Sequence, residues 1–157
     1  MFEIKTREVP EQHVLTEQSH LRVSALPEWT GAALGRQHGA LASAGAPSVL
    51  PSFIVFHGEV TEETAGTVEV CTPVAPELAA RLGLPSRVEP AHGEAYTTIT
   101  KALVDYPQIL TAYDAVESWL RERDVPIVGS PREVYFADFV AAGQDDEVVD
   151  IAFPIAL

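Results

Sequence analysis

Two stretches about eighty residues apart read alike, and that likeness narrows what this chain can fold into. Pro51-x-x-Ile54-x-Phe56 returns as Pro131-x-x-Val134-x-Phe136, an offset of 80. Val68-Glu69-Val70-x-x-Pro73-Val74-Ala75 returns as Val149-Asp150-Ile151-x-x-Pro154-Ile155-Ala156, an offset of 81. Each copy of the second motif sets an acid between two aliphatics and then stops at a proline, which ends hydrogen bonding in one direction. Two similar halves of one chain imply one supersecondary unit used twice.

The elements between the motifs repeat in the same order. Ile4–Val9 is a short extended opening, and His13–Val23 alternates like a strand. Pro27 stands where a helix can begin, so Glu28–Ala44 reads as a helix, ended by Gly45-Ala46-Pro47. Gly31, Gly35 and Gly39 form a smooth stripe on it, which suggests close packing on a sheet. Pro51–His57 and Val68–Val74 read as strands. In the second half, Glu94–Lys101 alternates like a strand, Gln108–Arg123 carries Ile109, Leu110, Tyr113, Val116 and Leu120 at helical spacing, and Glu133–Phe139 and Val148–Ile155 read as strands around an acidic turn at 141–147. The expectation is an α+β fold of tandem duplicated strand-helix-strand-strand modules with pseudo-twofold symmetry, antiparallel sheets and a central ligand cleft. We expect one domain over 1–157, with modules at about 1–75 and 88–157. The linker, 76–87, lies in a Pro-rich run where Arg81-Leu82-Gly83-Leu84 suggests a helical turn.

Composition narrows the partners. A net charge of −13 offers nothing to release counterions from nucleic-acid phosphate, so no direct nucleic-acid partner is expected. The same charge suits a cationic ligand or plain solubility. One cysteine excludes an internal disulfide and points to the cytoplasm. The N-terminus lacks the pattern of a signal peptide, and no apolar run is long enough to span a bilayer, so no membrane partner is expected.

The chemistry concentrates at Pro131–Phe136. On a strand, Glu133 and Tyr135 share one face, and Val134 and Phe136 the other. A carboxylate on a buried face is costly unless it is paired or protonated. Glu133 therefore either bonds Arg132 or a backbone N–H at a sheet edge, or provides the counter-charge at the floor of an aromatic pocket. Counting from the prolines, Phe53 is the repeat partner of Glu133 and Val55 that of Tyr135.

With these residues in place, the chain resembles the GyrI-like small-molecule-binding family, which also forms effector domains of AraC-type and MerR-type regulators. The marks are Glu133-Val134-Tyr135 after Gly129-Ser130-Pro131, then Asp150-Ile151-Ala152-Phe153-Pro154-Ile155, the helix Ala112-Tyr113-Asp114-Ala115 with Trp119-Leu120 near its end, and Val68–Val74. The resemblance covers nearly the whole chain. It implies a central aromatic cavity in which Glu133 faces lipophilic, cationic ligands and Tyr135 and Trp119 are wall residues, with Tyr113 of the marker helix a further ligand-binding candidate. Tyr96, Phe53, Phe56 and His57 join by strand position. Asp105-Tyr106-Pro107 departs from the turn that often precedes the second helix in the family. The resemblance also carries an enzyme reading, hydrolysis of strained-ring electrophiles with Glu133 as general base, and an interaction reading, an inhibitor that docks on a protein partner through its acidic surface.

No cofactor or metal is implied. Cys71 has no basic neighbour in sequence, so a structural thiol is expected. His13, His20, His38, His57 and His92 lack metal-ligand spacing, and Asp145-Asp146-Glu147 reads as a solvated turn.

Overall fold

The computed structural model describes residues 1–46 and 51–157. In chain order its elements are β1 (Lys5–Val9), β2 (Gln12–Leu21), α1 (Leu26–Ser43), β3 (Ser52–Phe56), β4 (Gly66–Pro73), α2 (Pro76–Leu82), β5 (Ser86–Glu89), β6 (His92–Thr100), α3 (Leu110–Glu122), β7 (Arg132–Tyr135) and β8 (Glu147–Ile155). The class is α+β and the strand pairings within each half are antiparallel. The chain divides into two compact units, residues 11–90 and residues 1–10 with 91–157.

In the 11–90 unit the strands pair in the order β5-β2-β4-β3. Pro27 opens α1, because its missing N–H belongs to a helix end that has no intrahelical acceptor. Gly45, at φ +77, takes the left-handed position just past the end of the helix, while Pro47 lies outside the described residues. The buried face of α1 is Thr30, Ala33, Gln37 and Leu41. Gln37 donates from Nε2 to the Val70 carbonyl at 2.9 Å and accepts from Thr72 Oγ1 at 2.6 Å, which fixes the α1 side of this sheet as that of Thr72, Val70 and Val68. The glycine stripe does not pack there. Gly31, Gly35 and Gly39 are exposed, and a Cβ on any of them would meet nothing within 4 Å. The apolar pattern misled because a polar residue, Gln37, occupies the buried face.

In the other unit the order is β1-β6-β8-β7. The helix α3 lays Ala112, Val116 and Leu120, with Ile109 just ahead of it, on Ala95, Ile99, Val149, Ile151 and Phe153. Leu110, expected on that face, is exposed because it sits about 100° round the helix from Ile109. The strand read as Glu133–Phe139 stops at Tyr135, so Phe139 belongs to the loop that leads to β8.

The stretch expected as a linker contains α2 and the strand β5. Gly83, at φ +64, caps α2. β5 pairs with β2, Gln12 opposite Glu89 through Leu15 opposite Ser86. β1 has the corresponding place beside β6, Lys5 opposite Tyr96 through Val9 opposite His92. Arg7 faces Glu94 across its ladder and Arg87 faces Val14 across the other, and the sequence shows why: Arg7-x-x-Pro10 and Arg87-x-x-Pro90 are a further copy at an offset of 80. The repeat is therefore β-β-α-β-β, and each repeat's first strand is built into the unit formed by the other repeat.

Register corrects the alignment made through the prolines. Phe53 lies opposite Cys71, and Ala152, the counterpart of Cys71, lies opposite Arg132, so β3 maps onto β7 with an offset of 79. The counterpart of Glu133 is Ile54, not Phe53, and that of Tyr135 is Phe56, not Val55. One residue matters here because a single step moves every side chain to the other face.

Candidate functional site

Glu133 lies on the α3 side of its sheet, directly across from Ile151, and is 6 % exposed. It bonds neither Arg132 nor a backbone N–H. Its Oε2 accepts from the Tyr113 hydroxyl at 2.6 Å and its Oε1 accepts from the Tyr135 hydroxyl at 2.6 Å. Tyr135 reaches it because residues two apart on a strand share a face. Tyr113 reaches it from the first turn of α3, which packs over β6 and β8, across the ladder that joins β8 to β7. Distances this short are typical of a hydroxyl donating to a carboxylate.

Around this triad the chain is apolar. Tyr113 meets the Phe153 ring edge-on, with centroids 6.0 Å apart and planes at 81°. Tyr135 meets Phe139 in the same manner, at 6.1 Å and 84°. Val149 and Ile151 complete the floor. Burial raises the Glu133 carboxyl above its ordinary value, while the two phenols pull it back down. Both phenols are held well above the usual range, by burial first and then by the Glu133 charge.

Other buried acids are treated differently. Glu69, 1 % exposed, receives Arg87 Nε at 2.7 Å on Oε2 and His57 Nε2 at 2.8 Å on Oε1, with Thr16 Oγ1 also donating to it. Burial works against this carboxylate, but Arg87, Thr16 and His57 overcome it and lower its pKa to about 2. Asp150 receives Arg7 Nη1 at 2.7 Å and Thr98 Oγ1 at 2.6 Å, and Glu94 receives Arg7 Nη2 at 2.9 Å. Glu89 has Arg87 Nη2 at 3.2 Å. Among the described residues, Glu133 is the buried acid whose hydrogen bonds come from phenols and from no Arg, Lys or His.

Glu133, Tyr135 and Tyr113 are thus brought together. Trp119 lies later on α3, half-buried, with the Arg123 guanidinium 4.1 Å over its ring. Tyr96 lies on the opposite face of the sheet from Glu133, 3.9 Å beneath the Arg7 guanidinium. Phe53, Phe56 and His57 belong to the 11–90 unit; Phe56 lies on its α1 side, and Phe53 and His57 on the side of Glu69. A cavity of about 290 Å³ lined by Glu8, Val9, Pro10, Ala91 and Leu157 contains none of these candidates. Burial pushes the Cys71 thiol up to about 12, with the Glu69 charge adding to it, so it is a poor nucleophile. No group of three potential metal ligands is present among the described residues. No described helix is long and apolar enough to cross a membrane.

The role of Phe139 escaped the sequence reading because it was placed within a strand. The arginines at 7 and 87 escaped it too, although their shared spacing from Pro10 and Pro90 was there to be read.

No family model and no curated protein matches the chain. Among solved structures it is similar to the C-terminal domain of EcmrR, with a TM-score of 0.73 and 18 % identity over 99 % of this chain and 98 % of that domain. Against the EcmrR chain in its complex with DNA the match spans 57 % of that chain's length. A hydrolase from Listeria innocua is similar with a TM-score of 0.68 and 8 % identity over 98 % of this chain and 92 % of that one. SAV2435 bound to tetraphenylphosphonium is similar with a TM-score of 0.63 and 10 % identity over 98 % and 93 %. At these identities the likeness is one of fold, shared with the C-terminal domain of EcmrR and with SAV2435.

Proposed function

We propose that this chain is a small-molecule-binding domain for lipophilic cations, in which Glu133 supplies the counter-charge. One observation carries the reading. The other buried acids described above are paired with arginine, Glu94 and Asp150 with Arg7 and Glu69 and Glu89 with Arg87, whereas Glu133 sits in an apolar setting and is bonded by phenols. A buried charge without a cationic partner is expensive, so a ligand that brings the cation gains what the protein withholds. Aromatic rings beside it add cation–π attraction, about 0.5–2 kcal/mol for each well-placed ring. The fold neighbour bound to tetraphenylphosphonium supports the same ligand chemistry. Tyr135, Tyr113 and Trp119 are the proposed wall residues of this unit, while Tyr96 faces the other side of its sheet. We read the chain as one cytoplasmic domain with no direct nucleic-acid contact, for which a regulatory role would need another chain to reach DNA.

The test is calorimetric titration with tetraphenylphosphonium and, separately, tetraphenylborate. The wild type is expected to bind the cation and reject the anion, and Glu133→Gln to lose cation affinity by about tenfold or more. Equal cation affinity in the two proteins overturns the reading.

A second reading rests on the same triad. A buried carboxylate with a raised pKa, held by two hydroxyls, is suited to act as general base on a water while a phenol polarises an electrophile. The hydrolase among the fold neighbours keeps it open. Turnover of a strained-ring electrophile that disappears in Glu133→Gln would establish it. Binding without product would exclude it.

A further inference from the structure

Nothing in the motifs points to Phe139, yet from the loop after β7 it packs on Tyr135 of the triad. The loop from Phe136 to Asp146 is shaped by its own acids: Asp138 Oδ1 accepts from the N–H groups of Val140 and Ala141 at 3.1 and 3.2 Å, and Asp146 Oδ2 accepts from that of Gly143 at 2.8 Å. It is then tied to the segment after β6. Lys101 N–H donates to the Asp146 carbonyl at 2.9 Å, Ala102 N–H donates to the Gln144 carbonyl at 3.0 Å, and Lys101 Nζ donates to the Ala142 carbonyl at 3.1 Å. The same ammonium lies 4.8 Å over the centre of the Phe139 ring. Phe139 is half-buried in this exposed loop and packs against Tyr135 at 84°.

We propose that Phe139, clamped by Lys101, is a positioning residue that holds the Tyr135 hydroxyl on Glu133, so that the β7–β8 loop sets the strength of the acid in the ligand site. The proposal rests on the cation-binding reading for its functional meaning, but not for its geometry. Tyr113 is fixed from α3 and needs no loop. Tyr135 is the last residue of β7, followed by a single further bond from Phe136 N–H to the Val148 carbonyl at 3.2 Å, and a ring near a strand end without lateral packing is free to change rotamer. Phe139 supplies that packing on one side. The corresponding loop of the 11–90 unit presents no aromatic: its Val60 packs near Gly66, where an added Cβ would meet the Val60 side chain at 3.0 Å and the Glu59 carbonyl at 2.5 Å. The brace is therefore particular to the unit that carries the acid.

The consequence has a sign. Among the described residues of this unit, the groups facing the Glu133 carboxyl are Tyr113 from α3, Tyr135 from its own strand, and the apolar Val149 and Ile151 from β8; Lys101 lies behind Phe139. Both phenols favour the ionised acid. Freeing Tyr135 removes one of them, so Glu133 takes up its proton at higher pH.

The experiment follows the Glu133 carboxyl carbon by NMR in the full-length, ligand-free protein, with Glu133→Gln assigning the signal. Phe139→Ala is expected to raise the midpoint by about half a pH unit or more, in the direction of Tyr135→Phe. Phe139→Leu, which keeps bulk against Tyr135, is expected to stay close to the wild type, and Lys101→Met to shift in the same direction by less. A Phe139→Ala midpoint equal to that of the wild type, while Tyr135→Phe moves up, overturns the proposal; should Phe139→Ala fail to fold, an unmoved Lys101→Met midpoint does so. In tetraphenylphosphonium titrations, Phe139→Ala is expected to bind about threefold or more weakly on the acid side of its own carboxyl midpoint and to approach the wild type as pH rises above it. If the wild type binds no cation, the cation-binding reading fails and the carboxyl titration still decides the role of Phe139.

Discussion

Glu69 and Glu133 show how the same residue type is tuned in opposite directions by its neighbours. Glu69 is held at about 2, below its ordinary 4.5. Its ionised form is therefore favoured by folding, and the stability it contributes is present above pH 4.5 and lost as pH falls towards 2. Glu69→Gln should flatten that acid limb, by about 3 kcal/mol at most, in urea titrations run between pH 5 and pH 2. Glu133 is raised, so its contribution runs the other way: it is present below the unfolded value of 4.5 and is lost as pH rises through the folded value. The melting temperature of Glu133→Gln relative to wild type should accordingly climb as pH rises above 4.5 in scanning calorimetry of the ligand-free protein. The strand face of Glu133 was legible, because alternation fixes it. That its partners are two phenols was not, because one of them comes from a helix twenty residues away.

At the scale of elements, α1 is a weak helix on a firm anchor. Gly costs roughly 0.5–1 kcal/mol against Ala in a helix interior, and the three glycines of its exposed stripe bring no packing in return. Gly35→Ala should raise stability by about that amount, seen as a rise of about 2–4 °C in melting temperature. A fall would mean that something covers the stripe. The element order was readable because the apolar alternation of β2, β3, β4, β6 and β8 is strong. Three features were hidden for separate reasons. β5 is four residues long and set among prolines. Gln37 broke the apolar face of α1 while satisfying Thr72 and Val70. The prolines at 51 and 131 suggested an offset of 80, whereas the ladders require 79, with the β7–β8 loop taking up the difference.

Across the whole molecule, the strands that begin the two repeats are fastened by matching means. Arg7 closes β1 onto β6 and β8 through Glu94 and Asp150, and Arg87 closes β5 onto β2 and β4 through Glu69. Removing Arg7 leaves two buried acids without their guanidinium, so Arg7→Ala should cost about 3 kcal/mol or more. It should also speed amide exchange first in β1 and in the facing edge of β6, as hydrogen-exchange mass spectrometry can resolve. Arg7→Lys should restore only part of the loss, because one ammonium cannot make the two-pronged contact that the guanidinium makes with Glu94.

Because residues 5–9 add an edge strand beside residues 92–100, and residues 86–89 add one beside residues 12–21, the two repeats are mutually obligate. Gene fission after Leu82 would yield two polypeptides, each missing an edge that only the other can lend. They would be unstable apart and should recover the native spectrum when refolded as an equimolar pair.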